Sequence, residues 1–182
     1  MILTNAQKND YKLVKNLYLT AFPPEERPPF FLLKWRAIRG NGQLLVAREA
    51  EEFIGFVYLI QDEQLVYLFF FAVEDCARGS GYGSKILDLV KERSRGKRIF
   101  LAREPLDDGA ENNGQRIRRR NFYLRNGFED LPIHIVEQGY RFEAMGIGGP
   151  IAPEEYDALI TAWLGKAFRK WIPMRMESDD GA

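Results

Sequence analysis

The strongest constraint on the fold is an apolar run, "LVYLFFFAV" at 65–73, followed by glycines at positions 79, 81 and 83. The run is apolar at both odd and even positions, which is typical of a central strand that is covered on both faces. The segment after the glycines has apolar residues at helical spacing, and "RIFLA" at 98–102 is again strand-like. A strand, a helix and a second strand at this spacing predict a right-handed parallel crossover.

The rest of the chain predicts helices on both sides of antiparallel strands. Two helical segments, at about 13–21 and 30–37, precede the runs "LLVARE", "FIGFVYLI" and "LVYLFFFAV", which predict a three-stranded meander. After the crossover come a helix at about 115–126, a hairpin of "IHIVE" and "YRFEAMGI", and a helix that begins at Pro153. We expect an α+β fold with a mixed, mostly antiparallel sheet. Residues 1–150 would form the main domain, and 151–182 a helical extension with a disordered tail, "ESDDGA".

Charge balance and residue counts exclude several classes of protein. The 182 residues include 26 basic and 26 acidic side chains, so no global positive charge is available for binding nucleic acid. The single Cys76 and the single His134 leave no ligand set for a zinc centre. No apolar run approaches the ~18 residues of a membrane span, and the first residues lack a signal-peptide pattern. We expect a cytoplasmic protein that binds no metal, nucleic acid or membrane.

The glycine loop fits neither of two common phosphate-binding motifs. A P-loop requires Gly-x-x-x-x-Gly-Lys-[Ser/Thr], whereas Gly83 is followed by Ser84 and is preceded, five positions earlier, by Arg78. A Rossmann fingerprint requires glycine where Ser84 stands, and it opens a βαβ array instead of following antiparallel strands. A different anion-binding loop is therefore indicated.

A third pattern, [Gln/Arg]-x-x-Gly-x-[Gly/Ala], is met by Arg78, Gly81 and Gly83. Glycine allows positive φ and close approach of the backbone, and the N–H groups at a helix N-terminus point towards an anion. A second motif, "NFYLRNGF" at 121–128, ends a predicted helix with Phe-Tyr-x-x-x-Gly-Phe. With the order of the elements, the two motifs resemble the GNAT superfamily of N-acetyltransferases over roughly residues 1–149.

The resemblance implies transfer of an acetyl group from acetyl-coenzyme A to a primary amine by direct attack in a ternary complex. In this family the fourth and fifth strands splay apart, the pantetheine arm enters the gap, and the glycine loop wraps the pyrophosphate. Residues 1–150 would then be the acetyl-coenzyme A-binding domain, and a strand N–H at Val73 would polarise the thioester carbonyl. The implied coenzyme contacts are Phe71, Ala72, Val73, Arg78, Gly79, Ser80, Gly81, Tyr82, Gly83 and Ser84.

The resemblance also implies that Tyr123, the tyrosine of the second motif, is the general acid that protonates the sulfur of the coenzyme. A phenol is neutral at pH 7 and donates one hydrogen bond, which suits this role. The general base is open. Glu104, just past "RIFLA", is the first candidate, Glu74 at the other edge of the gap is its rival, and water molecules are the third possibility.

Other charged segments give further hypotheses. Arg116 stands seven residues before the tyrosine, where the family often has an asparagine that contacts the coenzyme. The arginines at 116–120 either meet the 3′-phosphate of the coenzyme or form a solvated helix face. Glu25 and Glu26 are candidates for attracting a cationic amine to the acceptor cleft. The basic, aromatic stretch "KAFRKWIPMR" either packs on the core or contacts a membrane surface or a second subunit, so a homodimer remains open.

Two other functional classes remain open on the same fold. One is a non-catalytic acyl-coenzyme A-binding or sensing module, and the other is an interaction protein with a vestigial glycine loop. Only an enzyme would lose turnover when the Tyr123 hydroxyl is removed, and only the interaction protein would fail to bind coenzyme A. The acceptor is also open, since a polyamine, an aminoglycoside, an amino acid and a protein amine are all compatible with the sequence.

Overall fold

The computed structural model describes residues 1–24, 27–40, 42–137, 139–169 and 172–178. The strands are β1 (Ile2–Asn5), β2 (Gln43–Glu49), β3 (Glu52–Gln61), β4 (Leu65–Val73), β5 (Arg98–Arg103), β6 (Glu129–Glu137), β7 (Tyr140–Ile147) and β8 (Met174–Ser178). The helices are α1 (Tyr11–Ala21), α2 (Phe30–Ile38), α3 (Tyr82–Arg93), α4 (Asn113–Arg125), α5 (Pro153–Leu164) and α6 (Lys166–Arg169). In these ranges one sheet forms, in the order β1-β2-β3-β4-β5-β7-β6-β8.

The sheet confirms the predicted mixed architecture. Strands β2, β3 and β4 pair antiparallel in sequence order, and β4 pairs parallel with β5 after the crossover through α3. Between β3 and β4 the chain turns at Asp62, whose carboxylate accepts the N–H groups of Gln64 and Leu65, both at 2.8 Å. Such an aspartate holds a tight turn because its side chain takes the place of a backbone acceptor. The α+β fold class expected from the sequence is therefore correct.

Strands β4 and β5 pair over only part of their length. Their register covers Leu65↔Arg98, Val66↔Ile99 and Tyr67↔Phe100, after which β4 runs on to Val73 and β5 to Arg103 without pairing with each other. In β4, Phe69 is an extra residue, because Leu68 pairs with Leu59 and Phe70 pairs with Tyr58. A bulge of this kind bends a strand away from its neighbour. The result is a gap in the centre of the sheet, at the predicted place.

The sheet separates two hydrophobic cores. One face, which we call the α5 face, is covered by α1, α2 and α5, with Tyr18, Leu33 and Trp163 among its buried residues. The other, the α3 face, is covered by α3 and α4 and buries Leu87 and Tyr123. Successive strand residues point to opposite faces, so β4 contributes to both cores. The gap between β4 and β5 connects the two faces of the sheet.

The two terminal strands were not predicted from the sequence. Strand β1 pairs with β2, and β8 pairs with β6 from Ile133↔Ser178 to Glu137↔Met174. Helix α5 packs in the same core as the earlier helices, and the Trp163 indole N–H donates to the Tyr58 hydroxyl at 3.0 Å. The division at residue 150 remains a prediction. The expected disordered tail includes the last two residues of β8, and its other residues, 179–182, lie outside the described part of the chain.

None of the helices in the described ranges has the length and apolarity needed to cross a bilayer.

Candidate active site

A cleft of about 960 Å³ lies at the gap between β4 and β5 and is lined by residues from both faces of the sheet. Its walls include residues 67–73 of β4 and residues 101–103 of β5. Ligand pockets typically enclose roughly 300–1,000 Å³, so this cleft is large enough for an extended molecule and a second, smaller one. We call its two parts the α3-face half and the α5-face half.

The glycine loop borders the α3-face half and leads into α3. Gly79 and Gly81 both have φ of +78°, a left-handed conformation that favours glycine, and the space beside each is open. No side chain caps α3, and its first hydrogen bond runs from the Lys85 N–H to the Gly81 carbonyl at 3.2 Å. The N–H groups of residues 82–84 precede this ladder and are available to an anion.

Glycine is required at position 83 for a different reason from that at positions 79 and 81. A Cβ atom at this position would lie 3.1 Å from the Phe122 ring, so glycine allows α3 and α4 to pack closely. The two sequence motifs are therefore in direct contact. Arg78 closes the loop, because its guanidinium donates to the Val73 carbonyl at 3.2 Å and pairs with Asp75 at 2.6 Å.

Most of the residues predicted to contact the coenzyme line the cleft. They are Phe71, Ala72, Val73, Arg78, Gly79, Gly81, Gly83 and Ser84. Ser80 and Tyr82 are not part of the lining, and the Tyr82 ring instead lies under the Lys85 ammonium, 5.2 Å from its centroid.

The amides at the end of β4 point into the gap. The Glu74 N–H donates to the Ile54 carbonyl of β3 at 2.9 Å. The N–H groups of successive strand residues point alternately to the two neighbouring strands. Because the Glu74 N–H points to β3, those of Val73 and Phe71 point away from β3, into the gap where β5 has separated from β4.

Tyr123 is buried at the end of α4 and lines the cleft. Its ring meets those of Phe122 and Phe128 edge-on, with centroids 5.2 and 5.5 Å apart. The helix ends in a fixed geometry, because Gly127 has φ of +84° and the Phe128 N–H donates to the Tyr123 carbonyl at 3.1 Å. Burial raises the pKa of Tyr123 to about 12, with the charge of Arg119 acting in the opposite direction. The phenol therefore keeps its proton at neutral pH.

Glu104 lines the cleft but is held by three donors. Its carboxylate pairs with Arg116 at 3.1 Å and Arg119 at 3.0 Å, and the Asn112 amide donates to it at 3.1 Å. Arg116 also donates to the Pro105 carbonyl at 2.8 Å and does not line the cleft. Glu104 thus anchors the start of α4 against the end of β5.

None of the other predicted acids is among the described residues that line the cleft. Glu74 is not part of the cleft lining, and Glu25 and Glu26, predicted to attract the amine, lie outside the described residues.

The arginines of α4 have different surroundings. Asp130 binds Arg120 and also Arg103 at the end of β5. Burial raises the pKa of Asp130, but the hydrogen bonds from Arg120 and Arg103 outweigh it, and the pKa lies below its ordinary value. Arg118 and Arg125, two turns apart on α4, line the cleft and make no ion pair with any described residue. The α3-face half therefore has positive charge available for an anionic ligand.

The α5-face half was largely missed by the sequence reasoning. It is lined by Thr20, Ala21, Phe22, Tyr67, Phe69, Phe70, Glu137 and Phe142. One oxygen of Glu137 accepts the hydroxyl of Tyr67 at 2.7 Å and that of Tyr156 at 3.3 Å. Burial, followed by the charge of Glu137, raises the pKa of both phenols well above the ordinary value, so both remain neutral donors. An acid placed just before the "QG" turn was the available signal in the sequence.

Comparisons with known proteins agree with this geometry. A family model described as an acetyltransferase (GNAT) domain matches residues 40–130, half of the chain. A protein from Bacteroides thetaiotaomicron, described as a GNAT-family acetyltransferase, superposes with a TM-score of 0.71 at 25% identity, over 87% of this chain and 93% of that one. No curated protein sequence matches the chain.

Two other solved structures share the fold at lower identity. An aminoglycoside 6′-N-acetyltransferase complexed with coenzyme A has a TM-score of 0.62 at 18% identity, over 83% of this chain and all of that one. Naa50 from Arabidopsis thaliana, in complex with the bisubstrate analogue CoA-Ac-MVNAL, has a TM-score of 0.59 at 19% identity, over 81% and 98% of the two chains.

Proposed function

The chain belongs to the GNAT family of acetyltransferases, and from this premise we propose that it acetylates a primary amine, with acetyl-coenzyme A as the donor, by direct attack in a ternary complex. The observation that carries the proposal is the cleft through the sheet. Its α3-face half offers free main-chain amides and a buried tyrosine, and its α5-face half leaves room for a second substrate. Two of the similar structures were solved with coenzyme A or with a coenzyme A–peptide analogue, which supports the proposed donor.

The α3-face half fits the donor substrate. The amides of residues 82–84 and the positive end of α3 are suited to the pyrophosphate, and Arg118 and Arg125 add charge beside it. The acyl arm of the coenzyme then extends along β4 in the gap. There the N–H group of Phe71 or Val73 stabilises the negative charge that develops on the carbonyl oxygen.

Tyr123 acts on the sulfur that leaves. As the amine nitrogen forms its bond to the acetyl carbon and the carbon–sulfur bond breaks, the phenol donates a hydrogen bond and its proton to the sulfur, and solvent reprotonates it. A thiol has a pKa of about 8.5, below that of this phenol. Transfer of the proton from Tyr123 to the sulfur is therefore uphill and is completed when solvent reprotonates the phenolate, so much of the contribution of Tyr123 is the hydrogen bond itself.

The proton that the amine loses goes to solvent within the cleft. Glu104 was the first candidate for the base, but its oxygens already accept from two guanidinium groups and an amide. We assign Glu104 the role of anchoring Arg116 and Arg119, and the assignment of a base to a side chain remains a prediction.

The test is Tyr123→Phe, which removes one oxygen from a buried ring. We expect kcat to fall by about 100-fold, the lower end of typical general-acid contributions, with the Kd for coenzyme A unchanged. Tyr140→Phe is the matched control, because Tyr140 is exposed and lies outside the cleft lining. Coenzyme binding without turnover in the wild-type protein would favour the sensing module, and the absence of coenzyme binding would favour the interaction protein.

A further inference from the structure

We propose that the exposed side of α2 binds the surface of an anionic phospholipid bilayer, so that the protein attaches peripherally to membranes. This inference goes beyond the proposed function and involves no residue of the cleft lining. The sequence predicted no membrane binding because it has no apolar run long enough to span a bilayer, but a helix that lies on the bilayer surface needs no such run. The inference rests on the apolar side that α2 presents to solvent, on the basic residues around that side and on its shape.

Helix α2 is apolar on two opposite sides, and one of them faces solvent. Leu33 is buried in the core of the α5 face. Phe31, Trp35 and Ile38 are spaced by four and three residues and therefore share the other side, where they are 74%, 38% and 65% exposed. Phe168 of α6 is also exposed, and its ring centroid lies 6.3 Å from that of Trp35. We call Phe31, Trp35, Ile38 and Phe168 the α2 surface; contiguous exposed apolar side chains of this kind mark interaction sites.

Basic side chains flank the α2 surface. At helical spacing, Lys34 lies on one side of the apolar stripe and Arg39 on the other. The Arg39 guanidinium lies over the Trp35 ring, 6.0 Å from its centroid. Lys166, exposed at the start of α6, is two residues from Phe168. An apolar stripe bordered by cations is typical of helices that bind the interface of anionic bilayers.

The charge of these segments is local, because the whole chain has 26 basic and 26 acidic residues. Residues 25–40 contain four basic residues and two acidic ones, and the two acids lie outside the described part of the chain. Residues 158–176 contain four basic residues and no acidic one. Of these, Arg169 is paired with Asp157 of α5 at 2.6 Å. Both segments therefore carry net positive charge, which complements the phosphates of anionic lipids.

The shape of the α2 surface favours a bilayer over a protein partner. It consists of one side of a single helix and an adjoining turn of another, so it forms a convex ridge. A fluid bilayer adapts to a ridge, with tryptophan at the level of the headgroups and the other apolar side chains against the acyl chains. In a two-fold dimer the same surface would meet itself and bring its basic residues together.

The experiment measures co-sedimentation of the protein with vesicles, either of phosphatidylcholine alone or of equal parts phosphatidylcholine and phosphatidylglycerol. We expect the anionic vesicles to bind the wild-type protein at least about tenfold more tightly than the neutral ones, since each basic residue near the surface adds attraction. Binding should weaken as salt is added, because salt screens exposed charges.

The first variant is the double substitution Phe31→Ser and Ile38→Ser, which removes the two most exposed side chains of the α2 surface. It should weaken binding to the anionic vesicles at least about tenfold, because less apolar area leaves water. Ile117→Ser is the matched control, since Ile117 is 41% exposed on α4, which covers the other face of the sheet. Circular dichroism and thermal unfolding check that both variants are folded.

The second variant is Arg39→Glu, which keeps the apolar stripe and reverses one charge beside it. Binding to the anionic vesicles should fall about tenfold. Arg95→Glu changes the net charge of the protein by the same amount, but Arg95 is exposed in the turn between α3 and β5, and this variant should bind as the wild type does.

The inference would be overturned if the wild-type protein did not bind anionic vesicles, or if the double variant bound them equally well. A dimer in analytical ultracentrifugation that the double variant dissociates would assign the α2 surface to a second copy of the chain. Binding to soluble poly-L-glutamate that the double variant loses would assign it to an acidic protein, and either result overturns the inference. Calorimetric titration of coenzyme A into the same variants tests the proposed function separately, because the α2 surface lies outside the cleft lining.

Discussion

The two halves of the cleft are made of different parts of the protein. The α3-face half offers main-chain amides, positive-φ glycines and arginines, most of them within residues 71–125. Among the described residues, the α5-face half offers aromatic rings and the carboxylate of Glu137, contributed by α1, β4, β6 and β7, with Tyr156 of α5 behind them. In the proposed function, the first half binds what every donor molecule has in common, and backbone geometry would be sufficient for that. The second would bind the variable acceptor, which requires side chains.

The largest effect should come from disturbing the backbone of the α3-face half. In Gly81→Val a β-branched residue must adopt φ of +78°, so the chain there rearranges and the amides that follow turn away. We expect coenzyme A affinity to fall by about 100-fold, since a misplacement of ~1 Å can cost that much. Calorimetric titration of coenzyme A measures it.

The matched control is Gly96→Val. Gly96 has φ of +84° and open space beside it, but it lies in the turn between α3 and β5, outside the cleft lining. It should lose comparable stability and retain coenzyme binding. If both variants bind coenzyme A as tightly as the wild type does, the backbone of the glycine loop does not bind the coenzyme, and the distinction drawn between the two halves is incorrect.

An intermediate effect should come from the charges of the same half. Arg118→Gln removes a cation that lines the cleft without an ion pair to any described residue. Coenzyme A affinity should fall about tenfold, in line with hydrogen bonds to charged groups, and its dependence on salt should become flatter. Arg95→Gln, an exposed arginine outside the cleft lining, is the control. An unchanged KM for the amine would show that the two halves act separately, and a parallel rise in KM would show that they do not.

The smallest effect should come from Glu104→Gln, which tests whether the α3-face half contributes a base. If Glu104 only anchors Arg116 and Arg119, coenzyme affinity should fall by about threefold, as partly exposed ion pairs are worth little. The rise of kcat/KM towards alkaline pH should remain. Rate profiles between about pH 6 and 9 decide it, because a flattened alkaline limb would identify Glu104 as the base.

Local signals made the α3-face half predictable. Gly79 and Gly81 need positive φ, a requirement of a single residue that glycine alone meets easily, and Tyr123 lies at a fixed distance from Gly127 and Phe128. Gly83 was predicted to contact the coenzyme, and it lines the cleft, but the structure gives a further reason for glycine at this position. Its contact with Phe122 joins positions far apart in the chain, and spacing alone does not show such a contact.

The α5-face half could not be predicted from the sequence because it is formed by contacts between residues that are far apart in the chain. The Tyr67–Glu137 hydrogen bond spans 70 residues, and the uniformly apolar β4 run gives no alternation from which the bulge at Phe69 could be found. The short strands β1 and β8 were missed for a similar reason. Each is stabilised by a neighbour that is distant in sequence, and neither has the length that makes a pattern visible.

The reach of Tyr156 from α5 to Glu137 has an evolutionary consequence. The loop and tyrosine that we propose to serve the donor lie inside the segment shared with the family, 40–130, whereas Glu137, Phe142 and Tyr156 come after it. In the proposed function, recombination downstream of α4 would exchange the acceptor half while the donor half is left untouched. Chimaeras joined near residue 128 would test this. In them β6, β7, α5 and β8 are exchanged as one segment, and the acceptor specificity of the hybrid is measured.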